Sequence, residues 1–175
     1  MNYLIGTSYR GSLLGCSNLA DWHVFEKVPK SFLEQIKSVH VYGLGDCQGA
    51  LFITYGDEVY NVGFNGFGSL SQDRSTRNEN LTVPLKIDGL SHRKIEKMRV
   101  GLNYGIAISR SGTLYHWGRP VDELHCYRRT LDEGNNHSPH QLVGFCHVAK
   151  EAVCGESFFA VLTDNRQVFV TGWIH

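Results

Sequence analysis

Short apolar runs, each closed by glycine or a polar turn, recur along this chain. Between Gly101 and Gly118 the runs Ile106-Ala107-Ile108 and Leu114-Tyr115-His116-Trp117 flank the spacer Ser109-Arg110-Ser111-Gly112. β-Branched and aromatic residues on both arms, with glycine in the connection, predict a β-hairpin. Neither arm is long enough for a helix, and glycine at each end discourages one. The pattern occurs three times. Upstream, Leu51-Phe52-Ile53-Thr54 leads through Tyr55-Gly56-Asp57-Glu58 into Val59-Tyr60-Asn61-Val62-Gly63. Downstream, Ala160-Val161-Leu162-Thr163 leads through Asp164-Asn165-Arg166-Gln167 into Val168-Phe169-Val170-Thr171-Gly172. Thr54, Ser109 and Thr163 each precede the closing glycine by nine positions, and those glycines lie 55 and 54 residues apart. Pro84 and Pro139, Gly89 and Gly144, and Gly101 and Gly155 keep the same step. An internal repeat of this length, made of short strands, predicts propeller blades.

Taken in order, the chain divides into an arm, residues 1–35, and a repeat domain, residues 36–175. Residues 1–21 read as irregular or extended, with Trp22 and Phe25 as apolar anchors. Pro29 opens a predicted helix from Lys30 to Ile36, since proline suits the first turn. The first unit (36–90) is expected to hold strands at Val39 to Tyr42, Leu51 to Thr54, Val59 to Gly63 and Val83 to Ile87. The second (91–145) holds Ile95 to Val100, Ile106 to Ser109, Leu114 to Trp117 and Gln141 to Val143. The third (146–175) holds Val148 to Cys154, Ala160 to Leu162 and Val168 to Thr171, with no proline-led fourth strand. The expected fold class is all-β: a partial β-propeller of about three four-stranded antiparallel blades, the third incomplete, with a short N-terminal helix. Blade-to-blade packing is assigned to Tyr60, Tyr115, Trp117 and Phe169, which recur at matching places.

The pattern Pro-x-x-Val/Ile-x-Gly-Leu, then Ala-Leu-Ser/Thr, then Gly-x-Val/Leu-Tyr-x-Trp-Gly resembles the regulator-of-chromosome-condensation repeat. Gly63-Phe64-Asn65-Gly66-Phe67-Gly68-Ser69-Leu70 is similar to that family's Gly-x-Asn-x-x-Gly-x-Leu turn. Trp22 and Phe25, then Phe32-Leu33-x-x-Ile36 and Val39-x-Val41-x-Gly43, resemble the lead-in of the branch that carries BTB domains. Two departures stand out. Arg119-Pro120-Val121-Asp122-Glu123 replaces the family turn after Gly118, and Thr171 stands where Trp117 stands one unit earlier. The resemblance implies a non-enzymatic scaffold for a protein partner, an adaptor in ubiquitination or trafficking. The alternative it implies is nucleotide exchange on a Ran-like small GTPase, acting on chromatin; a truncated product without independent activity is the third reading.

Charge and chemistry narrow this picture. Lys plus Arg and Asp plus Glu number 17 each, so no global charge draws the chain to nucleic acid or to an anionic membrane. The start lacks a signal peptide or transmembrane pattern, and the five cysteines are scattered singly; an intracellular protein, cytoplasmic or nuclear, with reduced thiols is expected. Gly43-Leu44-Gly45-Asp46-Cys47-Gln48-Gly49 opens a strand rather than a helix, so it is a turn and not a dinucleotide loop. Within His125, Cys126, His137, His140, Cys146 and His147, only His137-x-x-His140 has useful ligand spacing; no metal, cofactor or catalytic centre is expected. His92, Arg93, Lys94, Lys97 and Arg99 form one basic stretch, read as a solvated edge, with Lys97 and Arg99 on one strand face. The loop from Arg119 to Ser138 is far longer than usual connections. It supplies the expected partner-binding residues Arg119, Asp122, Glu123, Arg128 and Arg129. The last unit should leave an apolar face at Phe159, Val161 and Phe169 uncovered, so self-association of the chain is expected.

Overall fold

The computed structural model describes residues 3–7, 13–18, 27–44, 47–64, 80–101, 104–118, 138–155 and 158–172. The stretch read as irregular or extended contains an antiparallel hairpin, β1 (Tyr3–Thr7) with β2 (Leu13–Asn18). Gly6 and Gly15 interrupt the apolar alternation there, which weakens the strand signal. Helix α1 (Lys30–Leu33) stops three residues sooner than expected. The Tyr55 N–H donates to the Gln35 carbonyl at 2.9 Å, and this bond draws the chain into the first sheet before Ile36.

Three antiparallel sheets follow, each paired in chain order. Blade 1 is β3 (Ile36–Leu44), β4 (Cys47–Thr54), β5 (Val59–Phe64) and β6 (Asn80–Lys86). Blade 2 is β7 (Ile95–Val100), β8 (Tyr104–Ser109), β9 (Leu114–Gly118) and β10 (His140–Gln141). Blade 3 is β11 (Ala149–Cys154), β12 (Phe158–Thr163) and β13 (Val168–Gly172). The sequence repeat survives as register. Ala50 pairs with Val62, Gly105 with Trp117, and Phe159 with Thr171.

The repeated Ser/Thr has a structural cause. Its hydroxyl accepts the N–H four residues on, at 3.1 Å in each hairpin: Glu58 to Thr54, Thr113 to Ser109, Gln167 to Thr163. That bond closes the turn around one residue in the left-handed region, Asp57 (φ 61), Gly112 (φ 79) or Arg166 (φ 67). Only glycine takes this conformation without steric cost.

Pleating sends alternate residues of each central strand to opposite faces. Leu51, Ile53 and Val59 of blade 1 point forward, onto Met98, Ala107, Tyr115 and Trp117 of blade 2, with Ile87 and Leu90 between them. Ile106, Ile108 and Leu114 of blade 2 point forward onto Ala149, Ala152 and Val161 of blade 3. The rearward face of blade 1, with Ala50, Phe52 and Val62, is closed by Phe32 and Leu33 of α1. Phe32 meets Phe52 and Tyr60 edge-on, with ring centroids at 5.7 and 4.9 Å. Each fully buried aliphatic or aromatic side chain contributes about 1.5–3 kcal/mol by leaving water.

The expectation for the last blade needs one correction. Val161 is 1% exposed and packs back on blade 2, and Phe159 packs beside it. The open face carries Val153, Leu162, Val168 and Val170 instead. Assigning the wrong parity on β12 exchanges the two faces. Phe169 lies against Phe145 and His147, at 5.4 and 4.6 Å.

Candidate protein-interaction surface

Backbone bonds tie the hairpin turns of blades 1 and 2 each to the start of the next blade. The Asp57 carbonyl accepts the His92 N–H at 2.7 Å, and the Gly112 carbonyl accepts the Ala149 N–H at 2.9 Å. Each turn is also tied to its own first strand. Arg110 N–H donates to the Lys94 carbonyl at 2.8 Å, and Asp164 N–H to the Val148 carbonyl at 3.0 Å.

The first strands β3, β7 and β11 lie side by side. Each carries a bulge at the same station, between Ile36 and Ser38, Ile95 and Lys97, and Ala149 and Glu151. The extra residue of a bulge leaves the ladder and re-aims its side chain. Here those residues are Lys37, Glu96 and Lys150, all exposed.

Where blade 1 meets blade 2, these devices build a cleft of about 190 Å³ lined by Lys37, Tyr55, Asp57, Lys94, Glu96 and Arg110. Arg110 Nε donates to Glu96 Oε1 at 2.7 Å. Glu96, and secondarily Asp57, hold the Arg110 guanidinium above its ordinary pKa. The Asp57 carboxylate accepts the Lys94 backbone N–H at 3.2 Å. Asp57, His92 and Lys94 all have positive φ, at 61, 60 and 57°. Such conformations cost of order 1–3 kcal/mol each and concentrate at functional sites. Among the described residues, Lys37 and Lys94 make no ion pair.

A second polar seam crosses from blade 2 to blade 3. Lys97 Nζ donates to Glu151 Oε2 at 2.6 Å and to the Lys150 carbonyl at 2.7 Å, while Arg99 Nη2 reaches Glu151 Oε1 at 3.3 Å. Lys97 first, and Arg99 after it, hold the Glu151 carboxyl below the usual carboxylate range. Burial, then the Arg99 charge, depress the pKa of His40 on the neighbouring strand. The shared face expected for Lys97 and Arg99 is thus present, but it is occupied by a carboxylate of this chain. That leaves it poorly suited to phosphate.

On the outer side, His116 and His140 meet at 4.1 Å with rings inclined by 66°. Burial, and then His140, lower His116 to about 4. Burial pushes the Cys154 thiol up to about 11, which keeps it protonated near neutral pH.

Arg119, Asp122, Glu123, Arg128 and Arg129 lie outside the described residues, as do His125, Cys126 and His137. Of the remaining members of that His/Cys stretch, His140 lies on β10, His147 lies against Phe169, and Cys146 is exposed. Among the described residues no group of three or more such side chains could hold a metal ion. None of the described helices is long and apolar enough to cross a membrane. Sequence reasoning missed the cleft. Its signal is the charged residue at each bulge station, visible only once the strands are aligned by their partners.

Three stacked antiparallel sheets, each advanced by one repeat, define a β-propeller array. No family sequence model matches the chain. The human E3 ubiquitin-protein ligase HERC2 is 34% identical over 133 residues, which cover 74% of this chain and 3% of HERC2. The mitochondrial RCC1 domain-containing protein RUG3 of Arabidopsis thaliana is 27% identical over 139 residues, covering 77% of this chain and 30% of that protein. Among solved structures, human WBSCR16 superposes with a TM-score of 0.60 at 25% identity, covering 77% of this chain and 32% of that one. Yeast RCC1 (Prp20), in its complex with Kap60, gives a TM-score of 0.64 at 18% identity and covers 79% and 32%. This chain therefore spans about a third or less of the length of these relatives. It belongs to the RCC1-repeat β-propeller family, named for the regulator of chromosome condensation.

Proposed function

We propose that the chain is a non-enzymatic scaffold that holds an acidic segment of a protein partner in the cleft between blades 1 and 2. The carrying observation is the cleft itself. Lys37 and Lys94 project from a bulge and a strained connection that inter-blade bonds hold in place, and neither is neutralised among the described residues. Preorganised cations of this kind select carboxylate partners and speed their association. The likeness to HERC2, a ubiquitin ligase, supports adaptor work near ubiquitination, as does the resemblance of the lead-in to the BTB-bearing branch. The segment from Arg119 to Ser138 is proposed as a second contact with the same partner.

The test is affinity capture with the wild-type chain and with a Lys37→Glu, Lys94→Glu variant, quantified by mass spectrometry. A defined set of proteins should be lost with the charge reversal, and the difference between the two forms should shrink as salt rises. Identical sets for both forms would remove the cleft. Accelerated nucleotide release from a Ran-type GTPase at equimolar chain would replace the scaffold reading with exchange.

A further inference from the structure

Two stations meet at the turn of every blade, the bulge residue of the first strand and the first residue of the hairpin turn. Ile36, Ile95 and Ala149 pair with Thr54, Ser109 and Thr163. Directly after the first set come the bulge residues Lys37, Glu96 and Lys150, and directly after the second come Tyr55, Arg110 and Asp164. The backbone holds the turn residue in the same way each time. Its N–H donates to the carbonyl of Gln35, Lys94 or Val148, at 2.9, 2.8 and 3.0 Å. In blade 2 the two stations hold Glu96 and Arg110, an ion pair at 2.7 Å. In blade 3 they hold Lys150 and Asp164, opposite in charge, with no direct ion pair among the described residues. In blade 1 they hold Lys37 and Tyr55, a cation beside a neutral ring.

Tyr55 is 76% exposed, whereas Tyr42 and Tyr60 are half-buried and Tyr104 and Tyr115 are buried. Its ring stands on a turn whose next residue, Gly56, is also exposed, so a second enzyme can approach it. Lys37 and Lys94 line the same cleft, and neither makes an ion pair among the described residues. The charged lining is Lys37, Lys94 and Arg110 against Asp57 and Glu96, three cations to two carboxylates. Glu96 is engaged by Arg110, and the Asp57 carboxylate by the Lys94 backbone N–H. An anion added at Tyr55 therefore enters a net positive cleft that holds two unpaired ammonium groups.

We propose that Tyr55 is a phosphorylation site, and that its phosphate pairs with Lys37 as Arg110 pairs with Glu96, filling the cleft from within. The phosphoryl donor is ATP held by a protein tyrosine kinase. The Tyr55 phenolic oxygen attacks the γ-phosphorus and forms the new O–P bond. The bond from that phosphorus to the β,γ-bridging oxygen breaks, ADP leaves, and the phenolic proton passes to the kinase's base. The product carries a charge of about −1.5 to −2 near neutral pH and three strong acceptor oxygens. Opposite a lysine, such a group forms charge-assisted hydrogen bonds. The pairing rests on the geometry of the two stations alone. Its consequence, that the modified chain releases an acidic partner, rests on the scaffold reading above.

The test has two arms on the 175-residue chain. In the first, the folded chain is treated with ATP and a panel of protein tyrosine kinase domains, and labelled sites are mapped by mass spectrometry. Tyr55 should be labelled at least about tenfold faster than Tyr42, Tyr60, Tyr104 or Tyr115, and Tyr55→Phe should abolish that label. Labelling by every kinase at other tyrosines, with Tyr55 left unmodified, would overturn the proposal. In the second arm, phosphotyrosine is installed at position 55 during translation, and the phosphate is titrated by phosphorus NMR. Its second ionisation should fall by about half a unit or more relative to the same chain in urea, because a nearby cation favours the dianion. Lys37→Gln should remove at least about half of that shift. Equal ionisation in the folded and unfolded chains, or a shift that Lys37→Gln leaves intact, would overturn the pairing. A shifted phosphate on a chain that still captures the same proteins would uphold the site and remove the cleft as the partner's seat.

Discussion

Blades 2 and 3 carry the same hairpin, yet one is sealed on both faces and the other on one. Ile108 and Leu114 are 3% and 2% exposed, while their counterparts Leu162 and Val168 are 38% and 63% exposed. The residue types barely differ. What differs is whether a following blade covers them: Ala149, Ala152 and Val161 lie over the first pair. A side chain's contribution is thus set by its neighbour in the array, as expected when stability is a sum of units and interfaces.

Three measurements bear on this contrast. The largest effect should come from Trp117, fully buried against blade 1. Trp117→Ala should cost about 3–5 kcal/mol, whereas Thr171→Ala, at the same rung of blade 3, should cost under about 1 kcal/mol. Equal shifts in urea midpoint would show that the two hairpins are loaded alike. Next, Leu114→Ala should cost about 2–5 kcal/mol and Val168→Ala no more than about 0.5 kcal/mol. A large loss at Val168 in the isolated chain would mean that its face is already covered in solution.

The smallest effect concerns acid. His116 is held neutral at about 4 against an ordinary 6.5. Because the unfolded chain binds the proton first, the stabilisation is complete above pH 6.5 and is lost as pH falls toward 4. The loss is at most about 3 kcal/mol. His40, lowered in the same direction by burial and Arg99, adds to the slope. His116→Val copies Val170, the residue at that station in blade 3, and should flatten thermal stability between pH 7 and pH 4. An unchanged slope would take His116 out of the acid response.

The period and the hairpins were legible from spacing alone, because each turn puts a Ser/Thr hydroxyl and a left-handed conformation at the same two stations. Facing was not legible at β12. Phe159 and Leu162 are both apolar, and only the partner register tells which one meets blade 2. The cleft escaped for a related reason. Lys37 and Glu96 are 59 positions apart, outside the step of 54 or 55 that marks the repeat, although their bulges coincide in space. The α1 boundary escaped because a tertiary bond from Tyr55 sets it, not a local cap.

The rung that faces the preceding blade holds Ala50 with Val62, Gly105 with Trp117, and Phe159 with Thr171. The bulky ring sits on the third strand in blade 2 and on the second strand in blade 3. A Cβ on Gly105 would stand 2.1 Å from the Trp117 ring, so the two arrangements exclude each other within one sheet. Exchanging the units would move the ring sideways by about 4.8 Å, one strand spacing, leaving a void on one side and a collision on the other. The blades look alike but are not interchangeable parts. Gene duplication or recombination that copied one unit into another's place would need compensating changes in both neighbours, so the order of the repeats is itself inherited information.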